Sequence, residues 1–315
     1  MSDGNHEWTI GEGDVATRLD KFLADPGRLG SRSRAVTALE RGKIFLNGVE
    51  AGLAQAATRL MAGDHVRVWT DRPGSSRPTR LATGDLAIVH EDTALIVVNK
   101  PPGLLTVPLE RDPSASSVRD QLREYLRPHR RHAFVVHRID RDTSGLVLFA
   151  KTEVAQSALK GQFRRREPER VYWAGVYGHP DPPSGVWRDH LVWDERALIQ
   201  KETHPQDPRA AEAECRYRML ESFAEASLIE VSLVTGKRNQ IRIQARLRGH
   251  TLIGEQRYIY GPDALRSISF PRQALHARRL AFRHPADGRP LSFEAPLPDD
   301  FTDLLARLRR NAPRT

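Results

Sequence analysis

Between Gly84 and Leu233 the chain keeps returning to one pattern: short runs rich in β-branched and aromatic residues, closed by Gly, Pro or Asp. Runs of that composition read as strands, and the residues that close them read as turns. "GDLAIVHEDTALIVVNKPPG" holds two such runs about an acidic turn, and Pro101, Pro102 and Gly103 end the second, because proline cannot continue a strand ladder. "GLVLFAK" and "RVYWAGVYG" follow. "AECRYRMLES" and "ASLIEVSLVTG" alternate apolar and polar residues, as strands with one buried face do. Helical spacing shows in "ASSVRDQLREYLRP", stopped by Pro128, in "EVAQSALKGQFRRRE", and in "NQIRIQARLRG", stopped by Gly249. Many strands and few helices in one long segment predict an α+β fold built on a mixed, largely antiparallel sheet.

Upstream, "DRPGSSRPTR" is polar, rich in Pro, Gly and Ser, and without apolar periodicity. It predicts a linker over 71–83, which leaves a small module at 1–70 and a large domain at 84–315. In the module, "TRLDKFLAD" places Leu19, Phe22 and Leu23 at helical spacing. "SRSRAVTALERGK" predicts a second helix, with Ser31 or Ser33 as N-cap and Gly42 as its stop. Strands in "IFLNG" and "GDHVRVW" follow. Two helices followed by strands predict a small α+β module.

The formal charge of +9 points to an anionic partner. Residues 1–70 carry nine basic and nine acidic side chains, so the other 40 basic and 31 acidic residues hold the whole excess. No apolar run approaches the roughly 20 residues of a spanning helix, and the N-terminus lacks the pattern of a signal peptide. The single cysteine, Cys215, excludes an internal disulfide and a cysteine-rich zinc site. A cytoplasmic protein without membrane association is expected, as is a monomer.

Chemistry concentrates in "HRIDRDTSGLVLFAKT", His137 to Thr152. Asp140 sits in a turn that leads straight into a buried strand, a geometry that holds a carboxylate rigidly yet within reach. Arg138 and Arg141 flank it and would keep it ionised. Such a carboxylate can act as nucleophile or base on a sugar carbon. An Asx-turn would use the same residues, with Asp140 or Asp142 merely capping the strand.

The stretch resembles the central motif of the RluA family of pseudouridine synthases, His-Arg-Leu-Asp-x-x-Thr-Ser-Gly-Leu followed by a short strand. Three further stretches resemble that family's motifs in the same order: "EDTALIVVNKPPGLLTVP", "ERVYWAGVYG", and "VTGKRNQIRIQARLRGHTLIGEQRYIYG" with "LHARRLAFRHP". The likeness runs from about Gly84 to Pro298. The module's "RLDKFLAD…SRSRAVTALERGKIFLNGVE" is similar to the S-four type of RNA-binding domain, whose second helix and following turn offer basic side chains to RNA; Arg32, Arg34, Arg41 and Lys43 match that surface.

The resemblance implies an isomerase that turns uridine in RNA into pseudouridine. The bond from ribose to uracil is broken, the uracil rotates in the pocket, and its carbon 5 is joined to the ribose, with no cofactor and no metal. It implies that Asp140 acts on the ribose, either adding to the anomeric carbon or removing the proton from carbon 2′. Tyr172 matches the pocket tyrosine that stacks on uracil and assists at carbon 5. Arg242 matches the arginine that pairs with the aspartate. Arg138 matches the arginine that takes the place of a flipped nucleotide, and Leu275 an apolar pocket wall. Lys237, Asn239, Thr251 and Glu255 depart from the usual motifs and are expected to alter RNA contacts or motif packing. Ribosomal RNA is the expected partner ahead of transfer RNA. The competing reading is an RNA-binding or ribosome-assembly protein that keeps the fold without catalysis. A glycoside hydrolase using Asp140 with Asp142 is disfavoured, because its carboxyl groups should face each other about 5–5.5 Å apart across a sugar.

Overall fold

The computed structural model describes residues 5–40, 42–69, 79–80, 86–109, 115–262 and 266–310. The chain packs into two compact units, Met1–Val97 and Val98–Thr315. That division falls later than the polar stretch at 71–83. Composition shows where apolar periodicity stops; it does not show to which core the next hairpin belongs.

In the first unit, β1 (Asn5–Thr9), α1 (Leu19–Leu23), α2 (Arg32–Glu40), β2 (Ile44–Leu46), β3 (Val49–Ala51) and β4 (His65–Trp69) follow in order. The sheet order is β1-β4-β2-β3, and its neighbouring strands pair antiparallel. The expected order of two helices and then strands missed β1, whose "NHEWT" is too polar to announce itself. Ser31 is the cap of α2: its Oγ accepts from Arg34 N at 3.2 Å. Leu19, Phe22, Leu23, Leu39, Ile44 and Val68 close the core of this module. Beyond it lie β5 (Thr79–Arg80), β6 (Ala87–Glu91) and β7 (Leu95–Lys100). Thr79 and Arg80 pair with β6, so the predicted linker contains a short strand; its other residues all lie outside the described ones.

The second unit runs α3 (Val118–Leu126), β8 (Phe134–Val135), β9 (Ser144–Ala150), α4 (Glu153–Arg164), β10 (Glu169–Tyr177), β11 (Ser184–Asp194), β12 (Ile199–Glu202), β13 (Ala211–Ser222), β14 (Ala226–Leu233), α5 (Gln240–Leu247), β15 (Leu275–Arg283), β16 (Pro290–Glu294) and α6 (Asp299–Arg310). Its strand order is β12-β11-β13-β14-β10-β15-β9, with β16 beside β15 and β8 beside β9. Only β9 and β15 pair in parallel within this run, so the sheet is mixed and largely antiparallel, as the strand patterning predicts. Ser117 and Thr152 cap α3 and α4 by accepting from Asp120 N and Ala155 N. Apolar residues of α6, Phe301, Leu304, Leu305 and Leu308, cluster with Tyr177 and Leu228 of β10 and β14. Ile243 of α5 packs with Leu191 and Ala213 of β11 and β13. No helix among the described residues is long and apolar enough to cross a membrane.

β9 is buried along its whole length. Its second residue, Gly145, has φ +109°, and a Cβ there would run into the backbone of Ala277 on β15. Glycine is therefore required where the parallel pair begins, and that pair carries the turn of Asp140 to the sheet.

Candidate active site

The turn before β9 is held by its backbone. Thr143 N donates to Asp140 O at 3.1 Å. Thr106 Oγ1 donates to Ile139 O at 2.8 Å and accepts from Ile139 N at 3.3 Å. Lys100 Nζ donates to Arg141 O at 2.7 Å, and to the carbonyls of Pro101 and Leu104. Arg272 Nη1 donates to Asp142 O at 2.9 Å while its other nitrogens grip Asp300. Ile139, Arg141 and Asp142, the three residues nearest Asp140 in the turn, are thus fixed from outside it. Lys100 is completely buried; burial first, then Arg272, pulls its pKa down to about 7 against the opposing pull of Asp142 and Asp140.

The Asp140 carboxylate faces Arg242 on α5, with Nη1 to Oδ2 at 3.0 Å. Arg242 is in turn gripped from behind by Glu255, Nε to Oε2 at 2.6 Å and Nη2 to Oε1 at 2.7 Å. The Glu255 carboxylate is fully buried and accepts from the backbone N–H groups of Gln256, Arg257 and Tyr258. Burial alone would lower the Arg242 pKa; Glu255 and then Asp140 outweigh it and raise it. Burial alone would raise that of Glu255, and Arg242 with the backbone donors brings it below the usual range. The result is a fixed cation whose one free edge is aimed at Asp140.

Asp140, Arg138, Tyr172, Arg242 and Leu275 all line one cleft of about 590 Å³. Tyr172, on β10, lies opposite Val231 and Ala277. Burial raises its pKa, Arg170 opposes that and Asp140 adds to it, so the ring is a neutral phenol, suited to stacking. Leu275 opens β15 and is buried. Arg138 is exposed at the cleft. Among the described residues it pairs with neither Asp140 nor Asp142, and Arg141 leans on Asp142 at 3.6 Å instead. The place beside Asp140 expected for Arg138 and Arg141 is therefore taken by Arg242.

The basic residues of the first unit stand differently. Arg32 donates to Asp20 at 3.0 Å, with Arg18 on the same carboxylate; its side chain is 65% exposed. Arg34 is exposed and Lys43 half-buried, and Arg41 lies outside the described residues.

Glu255 is the functional position that sequence reasoning undervalued. It drew notice only as a departure from the motif, whereas it sets the arginine that faces Asp140. Its signal was available: an acidic residue directly after Gly254 in an apolar stretch needs a cationic partner. Asn239 occupies the left-handed position before α5, with φ +55°, which asparagine tolerates. Lys237 N donates to Gln240 Oε1 at 2.9 Å, and Thr251 Oγ1 accepts from Tyr260 N at 2.9 Å.

The family described as RNA pseudouridylate synthase matches residues 94–247. An RNA pseudouridine synthase of Synechocystis sp. with no assigned role is 31% identical over 96% of this chain and 93% of that protein. The ribosomal large subunit pseudouridine synthase C of Vibrio cholerae is 33% identical over 96% of each chain. The ribosomal large subunit pseudouridine synthase D of Zymomonas mobilis is 34% identical over 95% of this chain and 96% of its own. Among solved structures, the human RNA pseudouridylate synthase domain containing 4 aligns with a TM-score of 0.57 at 23% identity, over 70% of this chain and 92% of that one, a likeness of fold.

Proposed function

The chain belongs to the RluA family of RNA pseudouridylate synthases, and from that premise we propose that it isomerises uridine to pseudouridine in large-subunit ribosomal RNA, with Asp140 acting on the ribose of a flipped uridine. The observation that carries the reading is the Asp140 carboxylate held at 3.0 Å by an arginine that Glu255 fixes, in a cleft walled by Tyr172 and Leu275. A carboxylate held by an arginine suits both addition to the anomeric carbon and removal of the carbon 2′ proton. Tyr172 stacks on the uracil, and Arg138, exposed and without a carboxylate partner among the described residues, takes the vacated place in the RNA stack. Ribosomal RNA is favoured over transfer RNA by the names of the relatives from Vibrio cholerae and Zymomonas mobilis. Residues 84–315 act as the catalytic domain and 1–70 as an accessory RNA clamp, in a monomeric cytoplasmic enzyme.

The test is direct. Pseudouridine is mapped in large-subunit ribosomal RNA from cells with and without the protein, and the missing site is restored in vitro. Asp140→Asn keeps the side-chain shape and removes its charge, so it abolishes product while RNA binding stays within about threefold of wild type. Pseudouridine formed at an appreciable rate by Asp140→Asn defeats the assignment.

A further inference from the structure

One cation in the cleft is half-buried and has no counter-ion among the described residues. Arg170 lies on β10 two residues before Tyr172, and both side chains line the cavity. Its Nη2 reaches only the carbonyl of Val234, at 3.4 Å, and its guanidinium lies 5.5 Å from the Phe163 ring. Its Nε is buried without a hydrogen-bond partner. No carboxylate pairs with it among the described residues. Gly236 leaves the space it occupies, since a Cβ there would overlap its Nη1. A guanidinium stays charged, and an unpaired charge partly withdrawn from water is costly to keep. Burial lowers the Arg170 pKa, with Tyr172 opposing, in keeping with a cation still awaiting its anion.

The proposed reaction supplies an anion at that place. When the bond from ribose C1′ to uracil N1 breaks, both bonding electrons leave on N1 and spread to the carbonyl oxygens O2 and O4. Asp140 loses its own charge in the same step, by forming a C1′–O bond in the addition route or by taking the carbon 2′ proton in the other. One negative charge thus moves from Asp140 to the uracil in either route. Arg242 serves the starting arrangement, because it is already shared between Asp140 and Glu255. It does not travel with the charge.

We propose that Arg170 is an electrostatic catalyst that binds a carbonyl oxygen of the departing uracil anion, stacked on Tyr172, until carbon 5 bonds to the ribose. This rests on the pseudouridine synthase reading. It asks for an interaction stronger after bond cleavage than before it, the kind that raises rate. An RNA phosphate is the weaker candidate: Lys160 and Arg164 are exposed along the same cleft and meet phosphates without removing them from water.

The experiment uses the full chain and a stem-loop spanning the mapped uridine, made with uridine or with 5-fluorouridine at that position. The single-turnover loss of the target nucleoside is followed by digestion and mass spectrometry, beside RNA affinity and its salt dependence. Fluorine withdraws electrons and stabilises the uracil anion by itself, so it lessens the need for Arg170. Arg170→Gln is expected to slow the uridine substrate on the order of 10²-fold, to slow the 5-fluorouridine substrate at least fivefold less, and to leave affinity within twofold. Arg170→Lys, which keeps the charge, falls between, and secures the result where the neutral variant folds poorly. Equal losses on both substrates overturn the inference. So does weakened binding with a shallower salt dependence and an unchanged rate, which makes Arg170 a phosphate ligand. Wild-type protein that forms no pseudouridine defeats the parent reading and this one with it; active wild type with an equally active Arg170→Gln defeats this one alone.

Discussion

Arg242 is poised between two carboxylates, one fully buried and one at the cleft. The buried one, Glu255, takes two of its donors and leaves Nη1 for Asp140. Orientation of this kind is a condition for preorganised electrostatics, since a guanidinium free to rotate would lose the aim of its charge. Glu255→Gln keeps the volume and removes the charge. It is expected to slow pseudouridine formation by roughly 10- to 100-fold, equivalent to about 1.4–2.8 kcal/mol and within the range for a hydrogen bond to a charged group. RNA affinity should be unchanged, because Glu255 is out of reach of solvent. Arg242→Ala should cost more, on the order of 2–4 kcal/mol in the barrier. Single-turnover rates beside filter-binding affinities check both; an unaffected rate in Glu255→Gln would separate Glu255 from the site. Neither role could be read locally: Asp140 and Arg242 are 102 positions apart in the chain, and periodicity reports which face a residue occupies, not which charge it meets.

At the scale of elements, β9 is bracketed by two neutral histidines. His137 Nε2 accepts from Leu148 N at 3.1 Å and its ring stacks on Phe163. His276 Nδ1 lies 2.9 Å from Ser144 Oγ, and its Nε2 lies 3.2 Å from the Ala295 carbonyl. Burial, helped by Arg170, lowers the His137 pKa to about 3. Burial lowers that of His276 to about 4, with the Ala295 hydrogen bond opposing. Both values lie below the roughly 6.5 of an unfolded histidine. Between those limits the unfolded chain binds more protons, so stability rises with pH there. The contribution is complete above about pH 6.5 and fades as pH falls towards 4 and 3. By pH 5 each histidine should have lost about 1–2 kcal/mol of stabilisation. Urea unfolding at pH 7 and pH 5 measures it: the difference between the two should shrink in His137→Gln. An undiminished difference would mean that the acid sensitivity arises elsewhere. Strand β9 itself was legible from "GLVLFA", because an unbroken apolar run has few other uses at that length. The two histidines were not, since a histidine in a motif looks the same whether it reacts or packs.

For the whole molecule, the first unit's four-stranded sheet closes around its own core of Leu19, Phe22, Leu39 and Val68. A chain lacking residues 1–70 is therefore expected to fold, with a cooperative thermal transition. The basic excess lies downstream, so non-specific RNA affinity and its salt dependence should largely survive. Turnover on folded ribosomal RNA should fall, while turnover on a short stem-loop carrying the target uridine should hold. Equal loss on both would mean that the module supports the catalytic fold; no loss on either would remove it from recognition. Arg34 is the side chain to test first within the module, because it is exposed while Arg32 is already tied to Asp20.

Sequence by itself determined the strand-rich character of the second unit, its main helices, the turn that presents Asp140 and the α+β module before it. Those features follow from local periodicity, turn residues and caps, which act over a few residues whatever the rest of the chain does. Tertiary structure alone decided that β1 joins the first sheet, that the compact division falls at Val97, and that Glu255 orients Arg242 while neither Arg138 nor Arg141 pairs with Asp140 among the described residues. It also left Arg170 half-buried without a counter-ion among the described residues. A buried charge takes its partner from whatever the packed strands and helices bring within about 3 Å, where low dielectric makes pairing decisive. That distance is set by strand register and helix packing, and neither is written in the spacing of the residues themselves.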